Sequence, residues 1–229
     1  MTSPTVRGTP VDARPLRADA ERNRRRIVDA AREVFARHGL EAGLNEIARH
    51  AGVGVGTVYR RFPDKDSLVA AALDEEVARM LAVADAAQRS DDAWSGLVLL
   101  LEEGLVLLSS NVGLRDLLLS QRTDPLDDGP EHLFLPYVES LVDRARVEGT
   151  VRPDVTVQDV GMLWCMVSEL ARHSVDLAPD AWRRYLALFT AGLRAGAVPD
   201  VPPPLDEEVA QEVLTRWIGL GGTRAPGAS

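Results

Sequence analysis

Twelve residues, Ala51 to Phe62 (AGVGVGTVYRRF), set three glycines at alternate positions directly before a threonine, a tyrosine and two arginines. Two chemistries use such a run. Glycines can let a backbone cradle a phosphate when they follow a buried strand and open a helix. Alternatively, a glycine turn joins two helices, and the second presents arginine to phosphate or guanine, a tyrosine hydroxyl to phosphate, and a threonine methyl to a thymine methyl. The phosphate-loop reading fails on context. The preceding LNEIARHA has helical spacing, the glycines do not follow G-x-G-x-x-G, and the Walker lysine is absent. An ordinary helical hairpin would share the packing residues Ala48, Gly52 and Val58, but it has little use for Thr57, Tyr59, Arg60 and Arg61 set away from the Val58 and Phe62 face.

No other constellation in the chain supports catalysis. Glu169 and His173 lie four apart, a spacing that could hold a metal, yet there are only 4 histidines, widely scattered, and 1 cysteine. No G-x-S-x-G or comparable nucleophile setting occurs. Catalytic residues, metal ligands and cofactors are therefore not expected, and the chain does not read as an enzyme.

Helices must position the polar residues. Ile27, Ala30, Ala31, Val34 and Phe35 recur at spacings of three and four, predicting a helix from Arg22 to His38 that Gly39 stops. A second helix is predicted from Leu44 to His50, a turn at Gly52 with Val53 as its plug, a third helix from Gly56 to Phe62, and a fourth after Pro63 and Asp64. Later helices are predicted near 112–121, 131–149, 156–175 and 180–196, with DDAWSGLVLLLEEGLVLLSS buried inside a bundle. No alternating strand pattern or internal repeat is seen. The expected organisation is a flexible arm over 1–20, a helix-turn-helix domain over 21–66, a helical ligand-binding and dimerisation bundle over 67–198, and a Pro-rich linker with a C-terminal helix over 199–229.

Charge is divided along the same line. Residues 1–62 carry 12 arginines against 7 acidic residues, while the whole chain has a formal net charge of -9. A basic head on an acidic body suits a DNA-binding domain joined to a body with another task. The lone cysteine and the absence of an apolar N-terminal run argue for a cytoplasmic location. The apolar stretch GLVLLLEEGLVLL is broken by Glu102 and Glu103, so no membrane association is expected.

The segment RRRIVDAAREVFARHGLEAGLNEIARHAGVGVGTVYRRFPDKDSLVAA, Arg24 to Ala71, resembles the N-terminal domain of the TetR family of bacterial transcriptional regulators. The resemblance implies an all-helical homodimer whose N-terminal helices read double-stranded DNA and whose divergent C-terminal bundle binds a small-molecule effector. By position it implies DNA contacts at Val55, Gly56, Thr57, Tyr59 and Arg60, and a phosphate contact at Lys65. Asn45 and Arg61 join them as candidates. Two departures stand out: Gly43 occupies the cap of the second helix where Ser or Thr is frequent, and Gly54 and Val55 replace residues that are often polar. Fewer side-chain hydrogen bonds to DNA are then available near the turn.

In the body, Trp94, Leu101, Leu105, Phe134, Tyr137, Trp164, Met166 and His173 are candidates to line an effector pocket, with plain core packing as the competing use. The helices near 156–175 and 180–196 are expected to pair across a two-fold axis through Val160, Leu163, Val167, Leu170, Leu186 and Phe189. Together these readings describe a ligand-responsive repressor released from a palindromic operator. The alternatives are a helical adaptor that binds only protein, or a small helical enzyme.

Overall fold

The computed structural model describes residues 13–119, 130–196, 202–210 and 212–213. Nine helices are named among them: α1 (Ala13–His38), α2 (Leu44–Ala51), α3 (Val55–Arg61), α4 (Lys65–Gln88), α5 (Ala93–Ser110), α6 (Val112–Leu119), α7 (Pro130–Val147), α8 (Val157–Ser174) and α9 (Ala181–Leu193). No strand is present among the described residues; Val151 and Arg194 form an isolated bridge. The expected all-α class is therefore observed.

Helix ends follow local chemistry. Gly39, at φ 72°, ends α1 in the left-handed conformation that side chains resist. Asp64 and Asp92 cap α4 and α5 by accepting from the amides of Ser67 and Ser95. Thr156 and Asp159 close a capping box at α8. α1 starts at Ala13, earlier than Arg22, so residues 13–20, expected in the arm, are helical. Pro15 is tolerated there because the first turn has no intrahelical use for its missing N–H.

Two apolar clusters divide the chain. The head cluster joins Ile27, Ala31, Val34 and Phe35 of α1 to Ile47 and Ala48 of α2, Val58 of α3, and Leu68, Val69, Ala72 and Leu73 of α4. The body cluster takes Met80, Ala84 and Ala87 of α4 with the inner faces of α5, α7, α8 and α9. α4 thus belongs to both, and a boundary after residue 66 falls inside a shared element. Leu117 of α6 also enters the head cluster, so the body sends a second helix into the head.

α5 has the length and hydropathy of a membrane span, yet Leu97, Leu100, Leu101 and Leu105 have no exposed surface and pack inside the bundle. Its apolar character serves helix packing on several sides. Of the C-terminal segment, Glu207–Ala210 and Glu212–Val213 are helical. Leu214, Trp217 and Ile218 of the expected C-terminal helix lie outside the described residues, as do the first twelve residues of the arm.

Candidate nucleic-acid interface

The turn between α2 and α3 is built by backbone chemistry. Gly52 adopts φ 64° and ψ 37°, and Val53 N–H donates to Ala48 O at 3.0 Å. Arg26 of α1 donates from Nη2 to Ala51 O at 2.7 Å, tying the turn to the first helix. Val53 packs against the head cluster, as its apolar type requires.

α3 is held by one face and free on the other. Val58 is fully buried and Phe62 nearly so, with the Arg24 guanidinium 5.4 Å from the Phe62 ring centroid. Burying one such apolar side chain contributes roughly 1.5–3 kcal/mol. Tyr59 is 57% exposed, and Gly56, Arg60 and Arg61 are exposed beside it. Arg60 Nη2 donates to Thr57 Oγ1 at 3.2 Å. Gly54 and Gly56 have open space where a Cβ would stand. The first turn of α3 therefore offers backbone and the Val55 side chain to any surface that approaches.

The other two candidates lie on the neighbouring helices in sequence. Asn45 is exposed in the first turn of α2, and Lys65 is half-buried in the first turn of α4. Gly43 caps α2 and Gly54 caps α3 from extended backbone without a side-chain hydrogen bond, as the glycine departures implied. The helix-3 start at Val55, one residue before the expected Gly56, brings Val55 into the same turn. Of the candidates, Asn45 thus lies on α2, Val55, Gly56, Thr57, Tyr59, Arg60 and Arg61 on α3, and Lys65 on α4; all but the half-buried Thr57 and Lys65 are exposed.

Sequence reasoning missed residues that hold this platform rather than face outward. Arg32 of α1 donates from Nε to Ala72 O at 3.2 Å and pairs with Glu75 at 3.4 Å, fixing α1 to α4. His50 Nε2 lies 2.9 Å from Glu33 Oε2, and this hydrogen bond holds the Glu33 carboxyl below its ordinary range. His38 Nδ1 makes the same type of contact with Glu46 at 2.9 Å. Nothing in helical spacing marks these pairs, because their partners lie on different helices.

Residues 27–72 match the family described as "Bacterial regulatory proteins, tetR family", and residues 92–195 match "Transcriptional regulator SbtR-like, C-terminal domain". The chain belongs to the TetR family. It is a transcriptional regulator with a helix-turn-helix DNA-binding head, and it is not an enzyme. A TetR transcription regulatory protein of Mycobacterium vanbaalenii is 33% identical, the alignment covering 79% of this chain and 100% of that one at a TM-score of 0.44. FadR of Bacillus subtilis, solved in complex with stearoyl-CoA, is 20% identical with 73% and 98% covered, and its TM-score of 0.53 shows a shared fold. An HTH-type transcriptional regulator of Staphylococcus aureus is 44% identical over 54 residues, which is 23% of this chain and 29% of that protein's length.

The body candidates separate into two groups. Leu101, Leu105, Phe134 and Trp164 are buried together. The Phe134 and Trp164 rings stack with centroids 5.5 Å apart, and Trp164 Nε1 donates to Leu101 O at 3.3 Å. Gly104 makes the room, since a Cβ there would stand 2.9 Å from the Trp164 ring. Tyr137 is half-buried, and Trp94 is half-buried beneath the Arg194 guanidinium at 4.5 Å. Met166 and His173 do not join them: Met166 is 40% exposed and His173 is exposed. Each lies two residues beyond a buried one, Trp164 and Ala171, and at 100° per residue that step turns to the opposite side of the helix. His173 Nε2 sits 3.3 Å from Glu169 Oε2 on the outer surface.

Of the residues expected at a dimer face, Phe189 is exposed and Leu170 half-buried. Val160, Leu163, Val167 and Leu186 are buried within one chain, while Met166, Tyr185, Leu188 and Phe189 are exposed. Apolar periodicity marks both sides of α8 and α9, and only packing shows which side the bundle consumes.

Proposed function

We propose that this TetR-family chain is a homodimeric, effector-released repressor that reads a roughly palindromic operator with α3 in the major groove. The observation that carries this reading is the division of α3: Val58 and Phe62 anchor it, and Tyr59, Arg60 and Arg61 stand free in a basic head. In the groove, Arg60 addresses guanine or phosphate, Tyr59 and Lys65 address phosphate, and Val55 and the Thr57 methyl address thymine methyls. Asn45 contacts the backbone from the helix that crosses it.

The exposed Tyr185, Leu188 and Phe189, at helical spacing on α9, with the exposed Met166 on α8, favour a two-fold face between copies, because exposed apolar surface marks association sites. A dimer places two α3 helices on successive major grooves. The effector enters the body beside Trp164, Phe134, Leu101 and Leu105; the solved FadR with stearoyl-CoA makes an apolar acyl compound the first class to screen. Effector and DNA favour different separations of the heads, so each weakens the other's binding by the same coupling free energy. A repressor acting on chromosomal DNA works in the cytoplasm, the location this reading implies.

Fluorescence anisotropy against DNA from upstream of its own gene, at several salt concentrations with unrelated competitor, tests the reading. Competitor-resistant binding is expected, and Arg60→Ala should weaken it and make the salt slope shallower by about 1. Weak, wholly salt-driven binding by the wild-type protein would favour the protein-only adaptor, and unchanged DNA binding by Tyr59→Ala and Arg60→Ala would refute the assignment of the contacts to α3. Sedimentation giving only monomer at micromolar concentration would remove the dimer.

A further inference from the structure

Two adjacent residues of α6 reach in opposite directions. Asp116 Oδ2 accepts from the backbone N–H of Leu40, just beyond the end of α1, at 3.0 Å. Its neighbour Arg115, whose side chain is 7% exposed, donates from Nη2 to Asp116 Oδ1 at 3.1 Å and from Nη1 to Glu169 Oε1 of α8. Glu169 is held from outside by Arg172 at 2.6 Å and His173 at 3.3 Å. A continuous chain of charged contacts thus runs from the end of α1, through α6, to α8.

The neighbourhood is shaped to admit it. A Cβ on Gly39 would collide with the Asp116 carboxylate, and a Cβ on Gly113 would stand 2.9 Å from Phe35 Cβ and 3.0 Å from Phe35 O. α6 lies that close to α1, and Leu117 continues the contact into the head cluster. Burial pushes the Asp116 carboxyl above its ordinary value, against the Leu40 N–H and Arg115, which pull it down. Glu169, despite the opposing effect of burial, is held below its ordinary value by Arg172, Arg115 and His173. Such buried pairs add little net stability, because desolvation offsets the attraction, but separating the partners is costly. What they supply here is a fixed geometry between α1 and α8.

We propose that Arg115 and Asp116 are positioning residues for DNA binding, locking the head onto α8 so that the two α3 helices of the dimer keep the spacing of their half-sites. This rests on the dimeric DNA-binding reading above. Neither residue touches DNA. Asp116 acts through the end of α1, Arg115 joins Asp116 to α8, and Glu169 is the anchor on the α8 side.

The test uses the full chain and a duplex enriched by the wild-type protein from a randomised pool, together with the same duplex carrying one scrambled half. Asp116→Ala and Glu169→Gln should each weaken binding to the two-half duplex by about tenfold, the scale of a typical coupling between sites, while binding to the single half stays at the wild-type level. Equal losses on both duplexes would overturn the proposal, since the residues would then merely support the head; so would no loss on either. If Asp116→Ala fails to fold, Glu169→Gln decides alone, because it leaves α1 and α6 unaltered. Failure of the wild-type protein to enrich any duplex would instead overturn the DNA-binding reading, and the two failures are thereby distinguished.

Discussion

Replacing Gly52 by alanine should unfold the head before the body. The residue sits at φ 64° in the turn before α3, and a left-handed conformation costs an alanine about 1–2 kcal/mol. The added Cβ would also lie 3.0 Å from Arg26 Nη2, the nitrogen that donates to Ala51 O at 2.7 Å. A charged hydrogen bond contributes about 1.5–3 kcal/mol, and a flexible guanidinium pushed aside forfeits part of it. The expected total is about 2–3 kcal/mol, a large fraction of the 5–15 kcal/mol that typically holds a domain. Gly52→Asn should recover most of the first contribution, because asparagine tolerates this backbone, and should cost about 1 kcal/mol. The three described tryptophans, at 94, 164 and 182, belong to the body cluster or pack against it. Urea titration followed by far-UV circular dichroism and by tryptophan fluorescence therefore separates the two regions. In Gly52→Ala the dichroism should fall at lower urea than the fluorescence moves. A Gly52→Ala midpoint equal to wild type, or an asparagine variant as damaged as the alanine variant, would refute the reasoning.

Three further outcomes are expected. Gly54→Ser, two residues along at φ −70° with nothing near its Cβ, should gain a few tenths of a kcal/mol by capping α3, read as a small rise in the same dichroism midpoint. Cys165, whose thiol burial pushes up to about 12, should resist iodoacetamide at pH 8 in the folded protein and react once urea exposes it. Hydrogen bonds from the Ser95 amide and hydroxyl hold Asp92 below its ordinary 3.8, so its contribution is present above that value and lost as pH falls through the lower folded value. Asp92→Asn should therefore flatten the acid side of the Tm against pH curve, which a scan of thermal midpoints from neutral to acid pH would show.

The head was legible because its signals are local. Gly39 and Gly52 announce left-handed turns, Val58 and Phe62 announce one face of a short helix, and the polar residues between them fall on the other by helical geometry alone. The body was less legible for a physical reason. Helical periodicity shows that α8 has apolar residues on more than one side, but not which side the bundle buries, and so Met166 was grouped with Trp164 although the helix turns them apart. Gly104 is similarly silent in sequence; only the Trp164 ring lying against α5 gives it meaning.

By itself, the sequence determined the helical class, the helix-turn-helix, its polar reading face and the charge division between head and body, since each follows from residues near one another along the chain. Tertiary structure alone decided that α4 serves two cores, that Arg26 ties down the turn, and that Arg115 and Asp116 join α8 to the end of α1. Those contacts link residues 25 to 76 positions apart, and no local pattern encodes a partner that only packing brings near.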